Sequence, residues 1–223
     1  MNFGQVTTCP YICFMTYIEA LQKRYSVKKF DKEKLIPDDI LRNILEAGRL
    51  SVSSLGLQPY EILVVESAEM KEKLIPAFYN PSQISTCSHL LVLISRRVID
   101  HSYIDTYFNH IKNVRDIPIE NLDGFRNSIN GYISIRDENA ILEWNERQAY
   151  ILLGNLIFAA ALESVDTCPM EDFNPEKINE ILSIDPETQK VSVTLALGYR
   201  AEDDVFQKMK KVRKPDDKLF KFI

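Results

Sequence analysis

Two clusters of basic residues, near opposite ends of the chain, are the residues whose types and spacing best suit chemistry. Five of the seven residues from Lys208 to Lys214 are positively charged, although the chain has a formal net charge of −5 and a pI of about 5.4. A smaller group is Arg24-Tyr-Ser-Val-Lys28. Most charge runs are solvated surface, and on composition alone that interpretation stays open. If the clusters converge, they predict a phosphate site, because arginine donates two parallel hydrogen bonds to phosphate oxygens.

Other catalytic motifs are missing from the sequence. No Gly-x-Gly-x-x-Gly follows a predicted strand and no Gly-x-x-x-x-Gly-Lys-Ser/Thr occurs, which argues against a Rossmann site and a P-loop. His89, His101 and His110 lack metal-ligand spacing, and His89 is interpreted as a packed structural histidine. No Ser/His/Asp or Cys/His arrangement is evident. Phosphate ligands without an acid, a base or a metal predict that a cofactor carries the chemistry.

Length and composition favour one compact domain. The chain has 223 residues, 45% hydrophobic and 26% charged, with only seven glycines and no low-complexity stretch that would mark a linker. The acidic balance argues against a nucleic-acid partner. The most apolar stretch, residues 149–162, is shorter than the roughly 20 residues of a membrane span. We therefore expect neither nucleic acid nor a membrane as a partner.

The cysteines and the first residues bear on the compartment. The four cysteines lack the regular spacing of a disulfide scaffold. Cys9 and Cys13 leave a metal or redox pair as an alternative, but no second pair or nearby histidine completes a ligand set. Residues 1–14 do not have the pattern of a signal peptide. We expect reduced thiols, a cytoplasmic protein and a domain spanning 15–223, preceded by a disordered arm or a start-site artefact.

Hydrophobic periodicity and turn signals predict helices interleaved with strands. Thr16 suits the N-cap of a helix that ends at Lys23, with Ile18 and Leu21 on its inner face, and Pro37 suits the start of the next helix. The predicted helices are 16–23, 37–50, part of 99–136, 138–162 and 175–182, the predicted strands are 60–66, 90–95, 165–170 and 191–197, and a polar loop spans 51–59. This order favours an α+β fold, in which helices cover a mixed α/β sheet.

Four segments, in this order, resemble the FMN-dependent nitroreductase family, and most closely its oxygen-insensitive NAD(P)H nitroreductases and dihydropteridine-reductase-like members. They are Arg24-Tyr-Ser-Val-Lys28, Ser53-Ser-Leu-Gly-Leu-Gln-Pro59, Pro169-Met-Glu-Asp-Phe173 and Lys211-Val-Arg213. Each is weak alone, whereas the ordered set, from about Met15 to the C-terminus, is specific. The resemblance implies a mixed α/β sandwich with a central sheet flanked by helices. It also implies an intertwined homodimer that exchanges its C-terminal tails and binds FMN at the interface.

The resemblance gives each segment an expected role. The phosphate and ribityl contacts would come from both ends of the chain, from Arg24, Ser26, Lys211 and Arg213. Tyr25 replaces the histidine of some relatives. Lys28 would approach the N1/O2 edge of the flavin, where a cation favours negative charge on the reduced ring. Ribityl and ring-edge contacts would come from the partner subunit through Ser53, Ser54, Leu55, Gly56 and Gln58. Taken alone, that last segment also fits a plain helix-to-strand turn.

The flavin ring would be held by two further segments. Asn80 and Gln83 match positions that bond the pyrimidine edge, and Gln83 stands where several relatives have lysine. The second is the short segment of Pro169, Met170, Glu171 and Asp172. Pro169 and Met170 would pack against the ring. The backbone N–H of Glu171 would face N5, the atom that accepts hydride, and Asp172 departs from the glycine common there.

The resemblance implies an FMN-dependent NAD(P)H oxidoreductase with a ping-pong mechanism. NADH or NADPH gives hydride to flavin N5 and leaves, and a nitroaromatic, quinone or pterin acceptor then takes it, without a side-chain acid or base. A non-catalytic flavin carrier or sensor is the alternative. Specialised chemistry such as dehalogenation is a further alternative, although no inserted lid motif supports it. The sequence does not distinguish NADH from NADPH or identify the acceptor.

Overall fold

The computed structural model describes residues 16–223, and the predicted extension at residues 1–14 lies outside them. Within that range the α-helices are α1 (Tyr17–Lys23), α2 (Asp38–Arg49), α3 (Ala68–Leu74), α4 (Pro81–Thr86), α5 (His101–Arg115), α6 (Asp123–Ser134), α7 (Glu138–Leu162), α8 (Pro175–Leu182) and α9 (Asp216–Leu219). The strands are β1 (Tyr60–Val65), β2 (His89–Arg96), β3 (Asp166–Met170) and β4 (Gln189–Gly198). The predicted helices and strands are confirmed. The short helices α3, α4 and α9 were not predicted, because four to seven residues give too little periodicity to recognise. Helix α1 is as short as α3, and it was recognised with the help of its N-cap, Thr16.

Side-chain caps fix where several helices begin. The Thr16 hydroxyl accepts a hydrogen bond from the backbone N–H of Glu19, while the Glu19 carboxylate accepts from Thr16 N at 2.7 Å. Asp100 and Asp137 accept backbone N–H groups in the first turns of α5 and α7. Such a cap is worth about 1 kcal/mol. The helix boundaries are therefore set locally by the sequence.

The strands form one sheet in the order β1-β2-β4-β3, and all three pairs are antiparallel. The central strands β2 and β4 are buried along almost their whole length. A parallel bridge joins Ser26 to Thr167, so the segment after α1 runs beside β3. This bridge brings the first basic cluster against the edge strand that leads to Pro169.

Helices cover both faces of the sheet. Leu90, Val92 and Ile94 of β2 pack in a cluster with residues of α3, α4 and α8. Leu91 and Leu93 point to the opposite face and pack with α2 and α7. Burial of one such side chain is worth about 1.5–3 kcal/mol. The predicted sandwich, with a central sheet flanked by helices, is confirmed.

A third apolar cluster lies beside the sandwich. Phe108 of α5, Ile129 of α6 and Trp144 of α7 are buried together with Leu57, which belongs to the loop between α2 and β1. The helical prediction for part of 99–136 is therefore confirmed. The cluster also packs α5 against the loop to which the family resemblance assigns flavin contacts.

Helix α7 has a buried face and an exposed apolar face. Leu152, Leu156 and Ala160 are buried against the sheet. Apolar side chains on the other face are exposed, and they are Tyr150, Ile151, Phe158 and Leu162. The described part of the chain therefore leaves one side of its most apolar helix without cover.

Helix α1 departs from one expectation. Ala20 is its only buried residue, whereas Ile18 and Leu21 are 47% and 37% exposed. The prediction that Ile18 and Leu21 form its inner face is wrong in the single chain. The helix approaches α7, and the small Ala20 side chain is the one enclosed there.

The structure also bears on metal and membrane binding. Within residues 16–223, no cluster of three or more His, Cys, Asp or Glu side chains could ligate a metal. None of the helices in that range is long and apolar enough to cross a membrane.

His89 is buried, and its Nδ1 lies 2.9 Å from the hydroxyl of Ser88. The interpretation of His89 as a packed structural histidine is confirmed.

Candidate cofactor-binding site

The two basic clusters converge on one cavity of about 630 Å³. The segment after α1 contributes Arg24, Tyr25, Ser26 and Lys28 to its wall, and the C-terminal segment contributes Lys211 and Arg213. We call this cavity the basic pocket, and its cationic lining residues are Lys23, Arg24, Lys28, Arg200, Lys210, Lys211 and Arg213. The convergence expected from the sequence is therefore present.

Lys211 is anchored to the opposite wall of the basic pocket by its own side chain. Its ammonium donates to the carbonyl oxygen of Leu21 at 2.8 Å and to that of Arg24. These carbonyls lie in the last turn of α1 and just after it, where C-terminal carbonyls favour a cation. The basic C-terminal segment is thereby fixed against α1.

The cations of the basic pocket repel one another. Burial lowers the pKa of Arg24, and the nearby Arg213 lowers it further. Burial also lowers the pKa of Lys211, with contributions from Arg24 and Arg213. Within residues 16–223, Arg24, Lys211 and Arg213 form no salt bridge, and Arg24 Nε is buried without a hydrogen-bond partner. An anion with several acceptor oxygens would satisfy the donor and relieve the repulsion.

Two buried aspartates behind the basic pocket shape its wall. The Asp166 carboxylate accepts three hydrogen bonds from Arg200. They come from the backbone N of Arg200 at 2.9 Å, from its Nε at 2.9 Å and from its Nη2 at 2.5 Å. The Arg200 guanidinium stacks 4.5 Å from the centre of the Tyr25 ring. Asp204 accepts from the backbone N–H of Lys28 at 2.9 Å. Burial, together with Asp204, raises the pKa of Tyr25 to about 12.

Lys28 reaches a thiol at the edge of the sheet. Its Nζ lies 3.9 Å from Cys168 Sγ, and Gln83 Nε2 lies 2.7 Å from the same sulfur. Gln83 is only 4% exposed and also donates to the carbonyl of Val27 at 3.4 Å. Burial raises the pKa of Cys168, while Lys28 and Gln83 act in the opposite sense. The structure therefore brings the predicted residues Lys28 and Gln83 together.

The segment from Pro169 to Asp172 leaves β3 beside this group. Met170 is buried and its carbonyl accepts from Thr194 at 3.2 Å, whereas Glu171 and Asp172 are exposed. The hydroxyl of Tyr150 donates to the Glu171 carboxylate at 2.5 Å. Burial and this bond raise the pKa of Tyr150, so the phenol stays a donor at neutral pH.

Asn80 joins the same region through a backbone bridge. Phe78 pairs with Phe173, which places residues 78–80 beside the segment after β3. The side-chain oxygen Oδ1 of Asn80 accepts from Ser82 N at 3.1 Å and caps α4, the helix that carries Gln83. Asn80, Gln83 and Glu171 therefore belong to neighbouring elements.

The loop at 53–58 lies apart from the basic pocket of its own chain. Its predicted contact residues Ser53, Ser54, Leu55, Gly56 and Gln58 are not among the residues that line that pocket. The buried Gln148 of α7 holds the loop, because its Oε1 accepts from Ser54 N at 2.7 Å and its Nε2 donates to Trp144 O at 2.9 Å. Within the single chain, the loop at 53–58 and the basic pocket are therefore separate features.

Several residues of the site carried no recognised signal in the sequence. They are Tyr150, Gln148, Asp166, Arg200 and Asp204. Asp166 opens a predicted apolar strand and could have been suspected of pairing with a buried cation. The others contact residues far away in the chain, so spacing alone does not reveal them.

Comparison with known proteins places this chain in a family. The family model described as the nitroreductase family matches residues 21–199. A protein of Staphylococcus haemolyticus, provisionally named NAD(P)H nitroreductase SH0546, is 35% identical over 216 residues, which cover 93% of this chain and 97% of the relative. The chain therefore belongs to the nitroreductase family, a family of oxidoreductase enzymes.

Solved structures share the fold. A structure from Staphylococcus epidermidis, provisionally described as an NAD(P)H:FMN oxidoreductase, has a TM-score of 0.82 at 24% identity and covers 93% of this chain and 96% of its own. A nitroreductase from Exiguobacterium sibiricum, provisionally so described and solved in complex with FMN, has a TM-score of 0.80 at 22% identity, with coverages of 93% and 97%. At these identities the likeness concerns the fold.

Proposed function

We propose that this chain is an FMN-dependent NAD(P)H oxidoreductase that reduces nitroaromatic, quinone or pterin acceptors. The observation that carries the proposal is the convergence of Arg24, Lys211 and Arg213 on one pocket, where the buried Arg24 Nε has no hydrogen-bond partner among residues 16–223. A phosphate monoester has a charge of roughly −1.5 to −2 and three acceptor oxygens, which match this donor set. The FMN in the Exiguobacterium structure and the NAD(P)H in the name of the staphylococcal relative support it.

The residues of this chain would bind and orient the cofactor. When bound, FMN supplies hydride transfer, from NADH or NADPH and then to an acceptor, in alternating half-reactions. Arg24, Lys211 and Arg213 would bind the phosphate, and Ser26 the ribityl chain. Lys28, held by Asp204 through its backbone, would place a positive charge at the flavin edge. These contacts act by positioning and electrostatics, so we assign no side-chain acid or base.

The second half of the site would come from another copy of the chain. The loop at 53–58 lies outside the basic pocket of its own chain, and the exposed face of α7 carries Tyr150, Ile151, Phe158 and Leu162. An apolar helix face of this kind is typical of a subunit interface. We infer a homodimer in which each loop contacts the flavin bound by its partner.

The C-terminal tail would strengthen that dimer. Leu219, Phe220 and Phe222 are 58%, 55% and 98% exposed, so the single chain gives their side chains little cover. Strand β1 is at the edge of the sheet, next to a cavity of about 460 Å³ lined partly by Leu45, Ile62 and Leu152. An exposed strand edge can accept an added strand from another chain. We propose that the partner's tail lies along this edge.

The visible absorption spectrum of the purified protein tests the proposed function. We expect flavin bands that bleach when NADH or NADPH is added without oxygen and return when a nitroaromatic, quinone or pterin is added. A colourless protein that does not bind added FMN would contradict the cofactor assignment. A yellow protein that neither nucleotide bleaches would favour the flavin carrier instead.

A further inference from the structure

The loop between α2 and β1 has an unusual backbone. Leu55, Gly56 and Gln58 all have positive φ angles, of 58°, 71° and 46°. For residues other than glycine, this left-handed conformation costs roughly 1–2 kcal/mol each. Such a conformation persists only where surrounding contacts fix it, so the loop must be held from outside.

Besides Gln148 of α7, which accepts from Ser54 N, two tyrosines of α5 supply such contacts. The hydroxyl of Tyr107 donates to the carbonyl oxygen of Leu55 at 3.0 Å. The hydroxyl of Tyr103 lies 2.8 Å from the carbonyl oxygen of Leu57 and 2.9 Å from that of Gln58, so its one proton is shared between them. The carbonyls of all three non-glycine residues from 55 to 58 are thus bound by side chains of one helix.

Gly56 fits this arrangement sterically. A Cβ atom at this position would lie 2.6 Å from Tyr107 Oη, closer than real Cβ atoms approach other heavy atoms. Its φ of 71° also favours glycine. The loop and the tyrosine hydroxyl therefore occupy adjoining space with no room for a side chain between them.

The tyrosines are themselves fixed and remain donors. The Arg96 guanidinium stacks 4.6 Å from the centre of the Tyr103 ring, and the Tyr107 ring meets Phe108 edge-on at 5.5 Å. Burial raises the pKa of both phenols. Both hydroxyls therefore keep their protons at neutral pH and can donate to the loop carbonyls.

We propose that Tyr103 and Tyr107 are positioning residues that hold the loop at 53–58 in the form that contacts the flavin of the partner subunit. The inference rests on the proposed function, because the loop's target is the bound FMN. Helix α5 contributes no residue to the basic pocket. Through the loop it would nevertheless set the affinity for FMN and the surroundings of the flavin ring. The hydroxyls act through the backbone of Leu55, Leu57 and Gln58.

The test compares Tyr103→Phe, Tyr107→Phe and the double variant with Tyr132→Phe in the full-length protein. Tyr132 is the matched control, because it belongs to the same apolar cluster and its ring packs 4.9 Å from that of Trp144, without bonding the loop. Hydrogen exchange of the amides at 53–58 measures the hold on the loop. The FMN dissociation constant, the flavin visible spectrum and the reduction potential measure the effect on the cofactor.

We expect the double variant to exchange its loop amides at least tenfold faster, to bind FMN about tenfold more weakly and to shift the flavin bands. Tyr132→Phe should leave all of these measurements unchanged. Suppose that the wild type is yellow and that the double variant keeps the wild-type rate of amide exchange at 53–58, FMN affinity and flavin spectrum. That result overturns the inference, even if the melting temperature of the double variant falls. A wild-type protein that binds no FMN overturns the proposed function itself, and with it the flavin-positioning role of Tyr103 and Tyr107.

Discussion

The side chain of Lys211 donates a hydrogen bond to the backbone carbonyl oxygen of Arg24, 187 positions earlier in the chain. The bond closes the basic pocket across the two ends of the chain. With the bond to the Leu21 carbonyl, it takes up two of the three ammonium hydrogens of Lys211. The Arg24 guanidinium, which lies near Arg213, keeps its Nε unpartnered among the described residues. An anion bound here would therefore depend on contacts from both ends of the chain.

Removal of the pocket cations should weaken FMN binding. Arg24→Ala, or Lys211→Ala with Arg213→Ala, deletes charge-assisted phosphate contacts worth about 1.5–3 kcal/mol each, so the dissociation constant should rise at least tenfold. The protein should fold but purify partly colourless. Lys208→Ala with Lys214→Ala is the matched control, because it removes two charges of the same basic run that do not line the pocket. Equal flavin affinity in wild type and both pocket variants would show that the phosphate lies elsewhere.

Lys28→Met should bind FMN but lower its reduction potential. The substitution removes a cation that favours negative charge on the reduced flavin, and a loss of about 1.4 kcal/mol corresponds to about 30 mV for a two-electron couple. Lys29→Met is the control, since the neighbouring Lys29 is exposed and paired with Asp203. Redox titration of the bound flavin decides the matter. A potential that is unchanged or raised in Lys28→Met would remove Lys28 from the flavin edge.

Deletion of residues 215–223 should damage the proposed dimer and release flavin together. The segment carries Leu219, Phe220 and Phe222, and burial of one such side chain is worth about 1.5–3 kcal/mol. Light scattering, the melting temperature and flavin fluorescence should all respond. Lys218→Ala with Lys221→Ala keeps the apolar side chains and should behave as wild type. A truncated protein that remains a stable, fully flavinated dimer would show that the tail is dispensable.

Cys87 should make the protein less stable at high pH. Burial raises the pKa of its thiol from 9.0 to about 12. The pKa is higher in the folded state, so the stabilisation is complete below about pH 9 and is lost as pH rises toward 12. In Cys87→Ala the free energy of unfolding should lack this slope, which is about 1.4 kcal/mol per pH unit.

Denaturant unfolding at several pH values from 7 upward measures the effect of Cys87. Cys87→Val removes the same thiol with less change in volume, and it should flatten the alkaline slope equally. If wild type and both variants lose stability in parallel above pH 9, the Cys87 thiol is not the titrating group.

The sequence by itself determined the local elements and the family. Thr16, Asp100 and Asp137 cap helices through neighbouring backbone N–H groups, and apolar periodicity and turn signals locate the long helices and the strands. These interactions act within a few residues, so they can be seen in a linear sequence. The ordered motifs, from Arg24 to Arg213, also predicted the nitroreductase family that the comparisons show.

Only the tertiary structure decided which distant residues meet. It buried Ala20 instead of Ile18, placed Asp204 under the backbone of Lys28, and joined Tyr150 to Glu171. Such contacts depend on the path of the whole chain and on the packing of helices against the sheet. No spacing rule encodes them, because residues far apart in the chain meet only after the intervening elements have packed.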